Sequence, residues 1–407
     1  MRDRDLYAKI LGLPEPWIVS DVDLDLAGSR VIVRLGRRAG VGLECPECRR
    51  VCPGYDTQPR RWRHLDTCQF ETLLEADVPR CSCPEHGVKQ VRIPWAEPGS
   101  HFTILLERLA IDWMQEAGRT ATARRLGLSW SEANGIMQRA VDRGLARRPA
   151  EEAILLGVDE KSFQKREFVT VVCDLEKGTV LHVADGRGSD ALRSCYQAMT
   201  PQQQTAVAAV AMDMHQPYVL ATQSALPEAT IVFDKFHIAK LAGAAVDQVR
   251  RGEAKTLAAE GDDRLKGTRY VWLRNPTAED AEQRRTFAPL RDSNLRTARA
   301  WAIKETLMGF FDYRQPTAAQ RFFRRWYTWA IRSRLQPIKR LARTMHDRLH
   351  LLLNWCRWPI TNAATEALNS KIQWIKYTAR GFRSRLGFRR AIYFHCGGLD
   401  LYPHEIR

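Results

Sequence analysis

The sequence lacks any apolar run near the roughly 20 residues a helix needs to cross a bilayer. Its opening residues, MRDRDLYAKILGLPEPW, carry charge but no apolar stretch ending in small residues, so a secretory leader is not expected. Repeats and low-complexity segments are absent as well, which excludes a repeat architecture. These absences point to a cytosolic protein with no membrane partner. In that compartment its ten cysteines are expected as metal ligands or buried thiols, not disulfides. Acids are scarce: 47 Asp and Glu face 63 Lys and Arg, for a net charge of +16 and an isoelectric point near 9.6. Residues 367 to 399 contain no acid at all. Such a balance attracts polyanions, nucleic acid first and anionic membrane second, although charge alone does not choose between them.

What is present is a globular composition, 44% hydrophobic and 27% charged, in 407 residues. At about 150 residues per domain this suggests two to four domains. Six segments are expected. Residues 1–40 read as a leader with a hairpin, residues 41–98 as a Cys-rich segment closed by PWAEPGS, and residues 99–148 as helices. Residues 149–236 alternate strands and helices, residues 237–345 are helical, and residues 346–407 return to the alternating core and end in a basic tail.

In the Cys-rich segment, CPEC at 45–48 and CPEH at 83–86 are near copies. Each offers two soft ligands two residues apart, so Cys45, Cys48, Cys83 and His86 would complete a tetrahedral zinc shell. Intervening strands would make a zinc ribbon, and a segment this small would draw folding energy from the metal. Cys81 is an alternative to Cys83; Cys52 and Cys68 are left over. In the helical segment, TATARRLGLSWSEANGIMQRAV has helix-turn-helix form, with Gly127 in the turn and Ser129 or Ser131 as cap. The second helix of such a motif enters the major groove, which would turn Trp130, Asn134, Gln138 and Arg139 toward DNA.

In residues 151 to 163, EEAILLGVDEKSF, Ile154 to Val158 read as a buried strand delivering Asp159 to its tip. Strands are expected at 153–159, 167–173, 179–184, 206–213 and 229–234, with Ser189 as a cap of the intervening helix. Three hairpin-connected strands followed by helix-linked parallel ones suggest an α/β fold with an RNase H-like catalytic core. There the first strand lies beside the fourth, which ends on Asp213. A third carboxylate is expected from Glu366 in NAATEALNSKIQWIKYTARGF, with Ala363, Ala364 and Ala367 allowing close approach to the sheet and Asn362, Asn369 and Lys371 as polar neighbours. Three carboxylates without His or Cys suit hard cations, Mg²⁺ or Mn²⁺, as a pair. Asp234 and His237 could line the same cleft; Asp174 and Asp185 look like turn acids.

The acid-free stretch carries Lys371, Lys376, Arg380, Arg383, Arg385, Arg389 and Arg390, with Trp374, Tyr377, Phe382 and Phe388 interleaved. Residues 321 to 348 add nine Lys and Arg against Asp347 alone. The basic residues are expected to contact DNA, and most of the aromatics to be buried.

The stretches CPEC…CPEHG, IPWAEPGS, LGVDEKSF, AMDMHQPY, IVFDKFHIAK, RYVWLRNP and NAATEALNSKI, in this order, resemble the DDE transposases of the ISL3 family of bacterial insertion sequences. The resemblance implies that Asp159, Asp213 and Glu366 are the catalytic triad. It also implies that the zinc ribbon and helix-turn-helix recognise terminal inverted repeats, and that the long helical block is an insertion domain. The expected activity is metal-dependent cleavage at the element ends and strand transfer into target DNA, by a homodimer or larger assembly. A nuclease or resolvase of the same fold, and a repressor without catalysis, are the rival readings.

Overall fold

Buried side chains recur at every second position where the chain is extended, and this spacing sets the first sheet. The computed structural model describes residues 3–274, 281–360 and 363–404. They fall into two compact units.

The first unit comprises Met1–Arg148, Ile375–Gly381 and Tyr393–Arg407. Its elements are α1 (Asp3–Leu11), β1 (Trp17–Asp25), β2 (Arg30–Arg37), β3 (Leu43–Glu44), β4 (Val51–Cys52), β5 (Gly54–Arg63), β6 (Glu71–Cys83) and β7 (Gly87–Gln90), then α2 (Ile104–Ala117), α3 (Arg119–Arg125) and α4 (Trp130–Arg147). The sheet order is β1-β2-β6-β5, with β7 also on β6. The hairpin of residues 1–40 is thus not a separate leader: β2 pairs in parallel with β6 of the Cys-rich segment. The apolar alternation of β2 could not find water on both faces, so it joins the larger sheet. Val31, Val33 and Leu35 of β2 and Leu74, Ala76 and Val78 of β6 are buried around Trp17, Trp62 and Trp95. Trp95 meets Trp17 and Trp62 edge-on at 4.8 and 5.4 Å. A second core unites α2 and α4 through Leu106, Ile111, Met114, Ile136, Met137 and Val141, joined by Phe394 and Leu401.

The second unit comprises Pro149–Trp374 and Phe382–Ile392. It contains β8 (Leu155–Gln164), β9 (Glu167–Asp174), β10 (Thr179–Asp185), α5 (Ser189–Gln197), α6 (Pro201–Ala206), β11 (Ala209–Met212), α7 (Gln216–Ala225) and β12 (Thr230–Phe233). The sheet order is β10-β9-β8-β11-β12. The first three strands are antiparallel, and β8, β11 and β12 run parallel. A helical block follows: α8 (Lys235–Ala259), α9 (Arg269–Leu273), α10 (Ala281–Arg291), α11 (Arg296–Met308), α12 (Pro316–Arg332), α13 (Gln336–Asp347) and α14 (Leu349–Leu352). The chain ends with α15 (Ala363–Thr378) and α16 (Arg385–Cys396), which both run from the second unit into the first.

Three expectations need correction. Asp159 does not end its strand: β8 continues to Gln164, because its antiparallel partner β9 is long enough to carry it, with Asp159 opposite Val171. Ile154 lies before the strand and is 47% exposed, so the buried run begins after it. The cap of α5 is Gly188, and Ser189 is the first helical residue.

Gly157 explains how α15 reaches the sheet. A Cβ there would lie 2.7 Å from Leu175 Cδ2 and Thr365 Oγ1 and 2.8 Å from Cys173 Sγ. Glycine is required because helix and strand approach through the space a methyl group would fill. Alanine at 157 would overpack the site at a cost of about 1–3 kcal/mol. The helix turns Thr365, Leu368 and Ile372 inward, whereas Ala367 is exposed, contrary to its expected role. Asn362 and the side chains of Ala363 and Ala364 lie outside the described residues.

Candidate functional site

The two knuckles meet. After β3 the chain turns through residues 45–50, with the Arg49 amide donating to the Cys45 carbonyl and the Cys45 amide to the Arg50 carbonyl, both at 2.9 Å. Arg49 takes a left-handed conformation there. At the other end β6 and β7 form a hairpin whose register pairs Cys83 with Gly87, leaving His86 on the turn. The ligand atoms of Cys45, Cys48, Cys83 and His86 all lie within 4.8 Å of one another, the one such group among the described residues. Cys48 Sγ is 3.7 Å from Cys83 Sγ, and the His86 Nδ1 is 3.5 Å from Cys83 Sγ. Tetrahedral zinc with Zn–S bonds of about 2.3 Å separates its sulfurs by about 3.8 Å, so the donor set fits the ion. Burial works against ionisation of Cys83, but the amides of His86 and Glu85 hold its thiol down to about 6. Burial pushes Cys52 up to about 11 and raises Cys81 as well. Cys81 lies outside the four-residue group and joins Cys52 in the small core beneath it.

In the helical triad, Gly127 adopts φ +63° and lets the chain turn sharply between α3 and α4. Ser129, not Ser131, caps α4, in a capping box with Glu132. Trp130 is 51% exposed, under the Arg119 guanidinium at 5.2 Å, and Arg119 also donates to the Asn134 Oδ1 at 2.7 Å. Arg119 therefore belongs with Trp130 and Asn134, a partnership that linear spacing does not reveal. Gln138 is partly exposed. Arg139 departs from its expected role: its Nε donates to the buried Glu107 at 3.0 Å, because a buried carboxylate demands a cation. Among the basic residues near the C-terminus, Lys371, Arg380, Arg383 and Arg385 are exposed and Lys376 is partly so. Arg385 lies 3.4 Å from Glu167. Of the interleaved aromatics Phe388 is buried, Trp374 and Phe382 are half-buried, and Tyr377 is exposed.

The carboxylates gather at one end of the parallel strands. The β8–β11 register pairs Leu155 with Ala209 and Gly157 with Ala211, and Asp159 and Asp213 each follow two residues beyond that last pair. The β11–β12 register pairs Met212 with Phe233, and the next residues are Asp213 and Asp234. Asp159 lies within β8, and Asp213 and Asp234 directly follow the last residues of β11 and β12, respectively. The sequence signal for the third acid, Asp234, was the repeat of an apolar triad before an acid, in VAMD and IVFD.

The three acids have different partners. Asp159 Oδ2 accepts from Lys161 Nζ and Asn369 Nδ2, both at 2.8 Å, and its Oδ1 from the Glu160 amide at 2.7 Å. Asp213 Oδ1 accepts from the His215 amide at 3.1 Å. Asp234 is 1% exposed; it caps α8 through the Phe236 amide and accepts from His237 Nδ1 at 2.8 Å. Glu366 is exposed on α15, one turn before Asn369, and does not join Asp159 and Asp213 in a tight three-carboxylate group. Asp174 is a turn acid as expected, its Oδ1 accepting from the Glu176 and Lys177 amides.

The hydrogen bond that His237 donates to Asp234 is the main reason the histidine pKa is raised; burial opposes it, and the charges of Asp234, Asp159 and Asp213 add to it. Stability from this pair is therefore full below the ordinary imidazole value of about 6.5 and is lost as pH rises through the raised value. In Asp234→Asn the His237 midpoint, followed by NMR of the ring protons, is expected to fall. In Asp159→Asn it should fall by less. An unchanged midpoint in Asp234→Asn would remove the proposed cause.

Comparison with known proteins bears on this arrangement. A family model described as a transposase, of the DDE type in the ISL3 family, matches residues 156–392, more than half the chain. A second, the zinc-finger of transposases IS204, IS1001, IS1096 and IS1165, matches residues 43–86. A third, the helix-turn-helix domain of transposase family ISL3, matches residues 91–141. The chain is 27% identical to the transposase for insertion sequence element IS1557 of Mycobacterium tuberculosis, over 94% of this chain and 93% of the relative. It is 28% identical to the transposase for IS1001 of Bordetella parapertussis, over 84% and 86%. A zinc ribbon, a helix-turn-helix and a carboxylate-edged α/β sheet, matched in order along one polypeptide, place the chain in the ISL3 family of DDE transposases.

Proposed function

We propose that this transposase cleaves DNA at the terminal inverted repeats of its element and joins the freed 3′ ends to target DNA. Asp159, Asp213 and Glu366 are its proposed metal-binding triad, with Glu366 outside a tight group with the two aspartates. The observation that carries the reading is the parallel pairing of β8 with β11, which Asp159 and Asp213 each follow by two residues, together with the hydrogen bond from Asn369 of α15 to Asp159. The strand order and the helical block after β12 support an RNase H-like core with a helical insertion.

An all-oxygen donor set suits Mg²⁺ or Mn²⁺. Two such cations, when bound, supply Lewis acidity at the attacking and leaving oxygens of a phosphodiester. The chain's own residues orient and balance the charge. Asn369 fixes the Asp159 carboxylate, and Lys161 offsets its charge. Cys45, Cys48, Cys83 and His86 hold a structural zinc with no open position. Trp130, Asn134 and Gln138 read the terminal repeat, and the exposed Lys371, Arg380 and Arg383 contact its backbone. Two element ends must meet, so two or more copies assemble on DNA. No helix among the described residues is long and apolar enough to cross a membrane, which accords with a cytoplasmic site of action.

The test is incubation of the protein with Mg²⁺, a labelled terminal repeat taken from the DNA flanking the gene, and a target plasmid. Joined products are the expected result. Cleavage without joining would identify a nuclease, and binding alone a repressor.

A further inference from the structure

The helical block carries a feature the proposed chemistry does not use. From residue 313 to residue 346 the chain has no acid. Within this stretch α12 buries one stripe, Ala319, Phe323, Trp326 and Ala330, at helical spacing, and the Trp326 indole donates to the Ile303 carbonyl at 2.9 Å. The opposite stripe carries Arg321, Arg324, Arg325, Thr328, Trp329 and Arg332, all exposed. Arg321, Arg325, Thr328 and Arg332 follow one another at steps of four, three and four residues, so they stand above one another on a single face.

None of these four arginines has an acidic partner among the described residues. Elsewhere in the same unit arginines do find acids: Arg250 lies 2.8 Å from Asp247, and Arg264 lies 2.6 Å from Asp262. Like charges three and four residues apart weaken a helix. A folding requirement does not explain the stripe, because the buried face alone anchors α12. Arg321, Arg324 and Arg325 also line, with Tyr313 and Ala318, an open depression of about 510 Å³. Trp329 is 40% exposed on the same side of the helix, one turn beyond Arg325.

We propose that this face of α12 binds the phosphate backbone of duplex DNA of any sequence, as a site separate from the helix-turn-helix. The inference rests on the transposase reading and extends it: DNA outside the terminal repeat, which no sequence-reading motif can select, needs a surface that recognises charge and shape alone. Guanidiniums with no acid to compete for them provide that, and releasing the counterions of the DNA makes their grip salt-dependent. Trp329 adds an apolar flank.

The test measures affinity of the full chain for a random-sequence duplex and for the terminal repeat across a salt series, without added Mg²⁺. The variants are the triple Arg321→Ala/Arg324→Ala/Arg325→Ala and the matching triple lysine replacement. Alanine at these exposed helical positions should leave the fold intact, which far-UV circular dichroism checks. The alanine triple is expected to bind the random duplex about 10- to 100-fold more weakly at moderate salt, with the log–log salt slope reduced by about 2 to 3. The lysine triple should keep the slope, since it keeps the charge. Unchanged affinity and slope in the alanine triple, or weakening confined to the terminal repeat, would overturn the proposal while leaving the transposase reading in place. Failure of the wild-type chain to bind either duplex would overturn both.

Discussion

Asp159→Asn is expected to abolish DNA cleavage and strand transfer, by at least about 10³-fold, while leaving binding to the terminal repeat intact. Such a loss corresponds to about 4 kcal/mol of transition-state stabilisation. The size of the effect follows from what the carboxylate contributes. Its side chain is 10% exposed, flanked by Lys161 and held by Asn369, so its charge is concentrated in a place water reaches poorly. A neutral amide preserves the shape but cannot hold a hard divalent cation against bulk water. Asp213→Asn and Glu366→Gln should be as severe, and a double variant scarcely worse than either single one, because ligands of one metal pair act as a unit. Asn369→Ala should be milder, because it removes only an orienting bond. The measurement is turnover of a labelled terminal repeat at saturating Mg²⁺, paired with a binding titration. Near-normal turnover in Asp159→Asn would place the chemistry elsewhere. Loss of binding in parallel with turnover would mean the substitution had damaged the fold and not the site.

Removal of zinc is expected to have the second largest effect, on DNA recognition. Cys83→Ser, or a strong chelator, should release one zinc per chain and open both knuckles. The affinity lost should exceed the 10- to 100-fold that accompanies loss of an outer-shell partner. Structural zinc supplies about 10–16 kcal/mol in isolated finger peptides. Here the consequence should be local, because β6 also pairs with β2, β5 and β7 and packs on Trp17, Trp62 and Trp95. Hydrogen exchange should therefore accelerate in residues 41–52 and 83–90 and stay slow in the centre of β6. Binding to the terminal repeat should weaken, while cleavage chemistry on a pre-nicked substrate should be less affected. A chain that purifies without zinc, yet shows slow exchange in both knuckles, would contradict this account.

Much of the candidate site was legible before any fold was known, because it is written in short-range chemistry. Two copies of a four-residue knuckle can converge on one ion wherever they sit, so Cys45, Cys48, Cys83 and His86 were the expected ligands, with Cys81 left as an alternative to Cys83. Cys81 differs from Cys83 only in where the strand ends, and proximity in the fold separates them. An apolar run followed by an acid singled out Asp159 and Asp213 as candidates, although β8 runs on past Asp159 to Gln164. Their coming to the same end of two paired strands depends on register, which no linear pattern encodes.

Other features depended on partners distant in sequence. Arg139 looked free for DNA until α2 brought Glu107 beside it. Asn369 was a polar neighbour with no assigned contact, and α15 turned it onto Asp159. The residues 1–40 looked self-contained until β2 found β6. Composition, periodicity and ligand spacing are properties of neighbouring residues, and from them came the expected order of segments, the candidate zinc ligands and the candidate acids. Which acid faces which, which arginine is spent on a buried carboxylate and which remains exposed were decided only by tertiary structure, because charge seeks its nearest partner in space and the chain alone does not say where that is.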